Sequence, residues 1–179
     1  MSEPADLLAR LDSCPLGVKG WRLFEDLGVD VFKYLFVPPL AEPHIQARSF
    51  SGIDRRDAIF PNRNMTPDNF WGQLNIELNA RMVLVEFKNY DAEELGKDEV
   101  DQTRNYLTKP LGRLAIICCR KSPEKDAFLR RNHVYTQEGK VILFLTEEML
   151  REMIHMKERG DNPSRLIMEM IELFYIQHE

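Results

Sequence analysis

Cysteine is scarce in this sequence, which has only three: Cys14 and the adjacent pair Cys118 and Cys119. The count is odd and the spacing is not that of metal ligands, which argues against a disulfide framework and against a zinc site built on cysteine. We therefore expect three reduced thiols packed in a hydrophobic core.

Long hydrophobic runs are absent as well. No apolar stretch approaches the roughly 20 residues that a membrane-spanning helix needs, and residues 1–6 lack the basic start of a secretory signal. These two features lead us to expect no membrane partner and a cytoplasmic location.

Positive charge is not in excess, because the chain has a formal net charge of -5. That balance does not by itself indicate a nucleic-acid-binding protein, so contacts with nucleic acid would depend on local basic clusters. Hydrophobic residues (44%) and charged residues (30%) are close to the average of globular proteins, which argues against a disordered chain. We expect residues 1–179 to form a single domain.

The most informative stretch is 81–90, where a core strand ends in charge. The apolar run from Met82 to Val85 predicts a strand in the middle of a sheet. Because side chains alternate along a strand, Glu86 and Lys88 point to the same face. Burying these two charges is costly unless each is paired or holds a metal. They are therefore either a structural ion pair or a metal-binding carboxylate beside a catalytic lysine.

Hydrophobic periodicity predicts the elements before this stretch. Apolar residues recur at helical spacing in residues 1–13 and again in residues 20–37, so both segments are expected to be helices. Residues 44–50 and 53–60 alternate enough to be strands, and Ser51-Gly52 between them predicts the turn of a hairpin.

Helices and strands alternate in the rest of the chain. We expect helices over 66–78 and 97–107, and a strand over 111–119 that runs parallel to the central one after a crossover. A last strand over 141–145 leads into helices. This order predicts an α/β domain, with a mixed sheet between helices.

The final helix, residues 166–176, is apolar nearly all round. Such a helix is buried on most sides, either in its own domain or against a partner. Core packing is one interpretation, and a homodimer contact through Leu166, Met170 and Phe174 is the other.

Four polar residues outside the central strand are candidates for a site. Asp57 lies inside a predicted strand, where aspartate has poor propensity, although a salt bridge to a neighbouring arginine would also explain it. Glu25 lies at the edge of a helix's apolar stripe, where a surface carboxylate is expected. Gln102 and Tyr106 stand four residues apart and share one face of a helix.

These residues follow one another in the order of a known family. The arrangement of Asp57, then Glu86-Phe87-Lys88, then Gln102 with Tyr106 resembles the PD-(D/E)xK phosphodiesterase superfamily. The Gln-x-x-x-Tyr helix is similar to that of the RecB-like branch. The resemblance covers the chain from about Gly20 to Cys119 and implies a restriction-endonuclease-like mixed central sheet flanked by helices.

Two features qualify the resemblance. Arg56 stands where the family name has a proline, a residue that is widely absent in the superfamily. An acid-x-Lys triplet is a weak signal, because Glu138-Gly139-Lys140 is a second copy in a predicted turn. Only Glu86 and Lys88 end a predicted buried strand.

The resemblance implies a metal-dependent nuclease. Asp57 and Glu86 would bind Mg²⁺, for which Mn²⁺ can substitute, with the Phe87 carbonyl as a further ligand. Lys88 would orient or deprotonate the attacking water, or stabilise the transition state. Glu25 would help a second metal or a metal-bound water, as the glutamate of the family's opening helix often does.

The substrate contacts follow from the same resemblance. Gln102 and Tyr106 would line the site and touch the substrate backbone. The basic residues near the site or in the cluster after residue 119 are candidate phosphate contacts, although a solvated surface would also explain them: Arg55, Arg56, Arg120 and Lys121.

The function expected is therefore an endonuclease acting on DNA, which would dimerise or borrow targeting from another subunit. One alternative is a nuclease-fold module with little or no activity, serving as a nucleic-acid-binding or assembly subunit; the net charge favours it. Another is an α/β domain in which Glu86 and Lys88 are an ordinary ion pair, which predicts that Asp57 lies far from Glu86.

Overall fold

A five-stranded mixed sheet forms the centre of the protein, for which a computed structural model describes residues 2–52, 55–92 and 94–178. The strands are β1 (His44–Arg48), β2 (Arg55–Pro61), β3 (Met82–Lys88), β4 (Leu114–Cys119) and β5 (Val141–Thr146). They lie side by side in chain order, with β1, β2 and β3 antiparallel and β3, β4 and β5 parallel. The predicted hairpin, the central strand and the parallel crossover are confirmed.

Helices cover both faces of this sheet, as predicted for the α/β class. Five pack against one face: α1 (Glu3–Ser13), α2 (Trp21–Phe36), α3 (Phe70–Leu78), α6 (Glu147–Glu158) and α7 (Ser164–Gln177). The other face is covered by α4 (Lys97–Tyr106) and α5 (Lys125–Glu138). Each strand of the parallel half is buried on both faces, which explains its nearly continuous apolar sequence.

The alternation along β3 decides which side chains reach which face. Val85 and Phe87 belong to the larger core beneath α2, whereas Leu84 belongs to the smaller core beneath α4 and α5. Glu86 and Lys88 share the parity of Leu84, so they point toward α4. Glu86 and Lys88 thus lie on the same face of the sheet, as predicted.

The structure differs from the sequence-based expectation at element boundaries and in one additional helix. Helix α3 begins at Phe70 rather than at Thr66, because the Asn69 side chain accepts a hydrogen bond from the Gly72 N–H and caps it there. Strand β4 begins at Leu114 rather than at residue 111. Helix α5 was not predicted, because its charged sequence has only a weak apolar stripe. Residues 53 and 54, in the predicted second strand, lie outside the described residues.

Helix α7 packs on the protein's own core. Phe174 is buried, and the partly buried Leu166 and Met170 pack against the larger core, so core packing accounts for these three residues. The large apolar residues that α7 exposes are Leu173, Tyr175 and Ile176.

Two further expectations concerned the cysteines and membrane-spanning helices. All three cysteines are free and buried, as predicted. In the described parts of the chain, no helix is both long enough and apolar enough to cross a membrane.

Candidate active site

The site lies where β2 and β3 separate. Their ladder runs from the pair Pro61 and Met82 to the pair Ala58 and Val85, and the next position brings Asp57 opposite Glu86. At this position two backbone N–H groups donate to carboxylates of the opposite strand. The Asp57 N–H donates to Glu86 Oε1 (3.3 Å), and the Phe87 N–H donates to Asp57 Oδ2 (2.9 Å). The two carboxylates therefore lie together, and the distant Asp57 expected for an isolated ion pair is not observed.

Mutual proximity and burial perturb both carboxyl groups. Burial and then the charge of Asp57 raise the pKa of Glu86 to about 8, although the nearby Lys88 amine opposes the shift. Burial also raises the pKa of Asp57, against the opposing effects of the Phe87 N–H and of Lys88. Two carboxylates held this closely favour a proton or a cation between them.

Lys88 is linked to the helix above it. Its Nζ donates a hydrogen bond to Gln102 Oε1 (3.1 Å), and Gln102 Nε2 donates in turn to Tyr106 Oη (3.0 Å). The structure thus brings together three residues that the sequence places on two different elements. Arg56 lies behind them, buried, with its guanidinium 5.6 Å from the centre of the Tyr106 ring.

Glu25 is only 4% exposed, whereas its place at the edge of the apolar stripe predicted a surface or rim carboxylate. It accepts a hydrogen bond from Gln46 Nε2 (3.2 Å) and forms an ion pair with Arg55 (3.7 Å). Burial, followed by the charge of Asp57, raises the pKa of Glu25. Three carboxylates therefore influence one another at this end of the sheet.

Gln46 is a site residue that sequence analysis missed. It has a φ of 50°, in the left-handed region, although its neighbours in β1 are paired regularly with β2. A non-glycine residue in that conformation is uncommon, and such residues cluster at functional sites. By the register of β1 and β2 it stands opposite Asp57. No glycine or asparagine marks the position, so the sequence carries no signal for it.

Two of the predicted phosphate contacts are occupied by contacts within the protein. The Arg120 side chain is 10% exposed, is paired with Glu147 (2.6 Å) and donates to Asn89 Oδ1 (3.1 Å). Arg56 is the other, as its position against Tyr106 shows. Lys121 is 44% exposed and forms a surface ion pair with Glu94 (3.4 Å).

The donor set is compatible with one hard cation. Among the described residues, no group of three or more His, Cys, Asp or Glu side chains is arranged to hold a metal ion. Mg²⁺ usually keeps several waters and takes only one or two protein carboxylates. Asp57 and Glu86, which carry raised pKa values because they are buried together, are residues that could supply such ligands.

Comparison of the chain with known protein families, with curated proteins and with solved structures found no match.

Proposed function

We propose that this protein is a metal-dependent nuclease that cleaves DNA internally. The observation that carries the proposal is the pairing of Asp57 and Glu86 at the point where β2 and β3 separate, with Lys88 on the same face. The mixed sheet, and the link from Lys88 through Gln102 to Tyr106, further support membership of the PD-(D/E)xK superfamily with its restriction-endonuclease-like fold.

Each residue has a role that follows from its setting. Asp57 and Glu86, with the Phe87 carbonyl, would hold Mg²⁺ or Mn²⁺, and the cation would supply charge neutralisation at the phosphoryl group and a more acidic water. The Lys88 amine lies beside them and donates to the phosphoryl oxygens or orients the attacking water. Gln102 holds that amine in place, so a flexible side chain does not have to be ordered during the reaction.

Glu25 and Arg55 extend the site on its other side. Their ion pair places one more carboxylate and one cation near Asp57. Of the predicted phosphate contacts, Arg55 is the one whose charge acts on both Glu25 and Asp57. We propose that it meets the substrate backbone while Glu25 orients water, and that the enzyme works in the cytoplasm.

The test is a cleavage assay on supercoiled plasmid, linear duplex, single-stranded DNA and RNA, with Mg²⁺, Mn²⁺ or EDTA. The wild type should nick or linearise the plasmid only with a divalent cation, and Lys88→Ala should abolish cutting. Lys140→Ala is the matched control, because Lys140 ends the second acid-x-Lys triplet and pairs with Glu138 (2.7 Å). Cutting that survives Lys88→Ala would exclude this site.

A second candidate is a nuclease-fold module that binds nucleic acid or assembles with a targeting subunit but does not cut. The net charge of -5 favours it, since few cations surround the carboxylates. A folded protein that binds Mn²⁺ but cleaves none of the four substrates would support this candidate. Failure to bind Mn²⁺ at all would remove the metal site from both.

A further inference from the structure

A groove of about 1010 Å³ opens beside Lys88. Residues 16–19, part of which form a short 3₁₀ helix, make one wall together with Trp21. Residues 87–92, at and beyond the end of β3, make the other wall. The groove is therefore continuous with the catalytic end of the central strand.

Large apolar side chains are exposed along the first wall. Leu16 is 46% exposed, Val18 is 87% exposed and Trp21 is 39% exposed. Single exposed hydrophobic residues are ordinary on protein surfaces, whereas several that line one groove indicate a binding surface.

The wall that carries these side chains is fixed to β3. Asn89 is buried, and its Nδ2 donates to the carbonyl oxygens of Pro15 and Gly17, at 2.9 Å each. The Gly17 N–H donates back to the Asn89 carbonyl at 2.9 Å. Arg120 holds the Asn89 side chain from behind. The exposed apolar residues thus stand on an ordered backbone.

Trp21 lies between this groove and a second, smaller pocket. That pocket has a volume of about 260 Å³ and is lined by Trp21 together with Glu25, Gln46 and Arg55. Trp21 therefore borders both sides of the proposed site. The Arg22 guanidinium lies 5.0 Å from the centre of its ring.

The chemistry of the groove matches an unpaired nucleotide. An exposed indole offers a face on which a base can stack, and such stacking requires a base that is not already stacked in a duplex. Two lysines of the groove lining, Lys19 and Lys88, supply positive charge for the phosphates. Among the described lining residues, Asp91 is the one acidic side chain. A duplex presents its phosphates but keeps its base faces covered, so it leaves the apolar wall unused.

We propose that this groove binds an unpaired DNA strand, with one base stacked on Trp21 and the adjoining phosphate directed to Lys88. The proposal deepens the nuclease function and rests on it for the identity of the ligand. It makes a single-stranded segment beside the cut a requirement for tight binding.

Tryptophan fluorescence tests this directly, because the chain has two tryptophans and the other, Trp71, is 1% exposed. A short single-stranded DNA, a blunt duplex of the same sequence and the matching RNA are titrated into the wild type in EDTA, where nothing is cut. We expect quenching by single-stranded DNA and little by the duplex. Trp21→Leu supplies the baseline from Trp71.

Binding is then measured with labelled strands. Trp21→Leu should weaken binding of single-stranded DNA by roughly 5- to 150-fold, the range measured for loss of one stacked base, whereas Trp21→Phe should keep most of it. Tyr175→Leu is the matched control, since Tyr175 is an exposed aromatic residue on α7, remote in sequence from the groove.

Several results would overturn the proposal. These are unchanged binding in Trp21→Leu, equal quenching by the blunt duplex, or quenching by RNA alone. Quenching that rises with protein concentration and needs no nucleic acid would assign the groove to a second copy of the chain. Single-strand quenching in a protein that cuts nothing would support the groove while rejecting the nuclease, so the two failures are distinguishable.

Discussion

The Asp57 and Glu86 carboxyl groups are largely buried and lie close enough to interact electrostatically. The pKa of both is raised, chiefly by burial. The folded protein without a cation therefore retains a proton that the unfolded chain would have released near pH 4.5. This difference makes the stability of the protein depend on pH in a direction opposite to that of most carboxylates.

The first prediction concerns that dependence in EDTA. The contribution of Glu86 to stability is complete below its ordinary pKa of 4.5 and is lost as the pH rises through its folded value of about 8. Between pH 6 and pH 8.5 the wild type should lose on the order of a few kcal/mol relative to Glu86→Gln, which cannot ionise. Urea unfolding of both proteins at the two pH values measures this. Parallel losses would contradict the buried carboxyl pair.

The second prediction concerns Gln46, whose backbone is in the left-handed region. Gln46→Gly should preserve or slightly raise the melting temperature, because glycine adopts that conformation without strain. It should lower the cleavage rate, because Glu25 loses the Nε2–H donor. Ala47→Gly, at the next residue of β1, is the control and should lower stability without affecting cleavage by the folded protein. A fully active Gln46→Gly protein would remove Gln46 from the site.

At the scale of elements, the site depends on how closely α2 approaches β3. Gly28 faces the Phe87 ring, and a Cβ added there would lie 2.1 Å from a ring carbon. The same Phe87 supplies the N–H that holds Asp57. The packing of a helix on one face of the sheet thus sets the position of a carboxylate on the other.

The third prediction follows from this contact. Gly28→Ala should destabilise the protein by roughly 1–3 kcal/mol through overpacking, and should also slow cleavage by molecules that remain folded. Val31→Ala is the control, because it leaves a cavity on the buried face of the same helix. It should cost a comparable amount of stability but leave cleavage by the folded protein unchanged. Thermal melts combined with cleavage rates below the transition distinguish the two effects.

Helix α4 positions the Lys88 amine through Gln102, which accepts its hydrogen bond. The fourth prediction is that Gln102→Leu lowers the cleavage rate by roughly 10- to 100-fold, the effect of losing one hydrogen bond to a charged group. Mn²⁺ affinity should not change, because Asp57 and Glu86 remain. Asn105→Leu, at an exposed position on the same helix, is the control. A loss of Mn²⁺ binding in Gln102→Leu would show that α4 shapes the metal site itself.

At the scale of the whole molecule, the acidic balance would limit the number of phosphate contacts in the proposed complex with DNA. Arg56 and Arg120 are engaged inside the protein, so the cations available near the site are few. The fifth prediction is a shallow salt dependence for single-stranded DNA, with a slope of log K against log salt of roughly -2 to -3, as expected for three or four phosphate contacts. A much steeper slope would point to basic residues elsewhere on the surface.

The local sequence determined most of the elements. Apolar runs specified β3, β4 and β5, because a strand buried on both faces has little choice of side chain. The two-residue period of β3 was enough to place Glu86 and Lys88 on one face. Strand context also distinguishes them from Glu138 and Lys140, which flank the helix-ending Gly139.

Only the tertiary structure decided how these residues meet. The register of β2 on β3 sets Asp57 opposite Glu86, and strand pairing depends on contacts far apart in the chain. Packing of α2 turned an apparent surface residue, Glu25, into a buried one. The left-handed Gln46 and the internal contacts of Arg120 likewise depend on neighbours that local periodicity does not specify. Sequence pattern thus determined which faces are apolar, whereas long-range packing decided which polar groups those faces hold together.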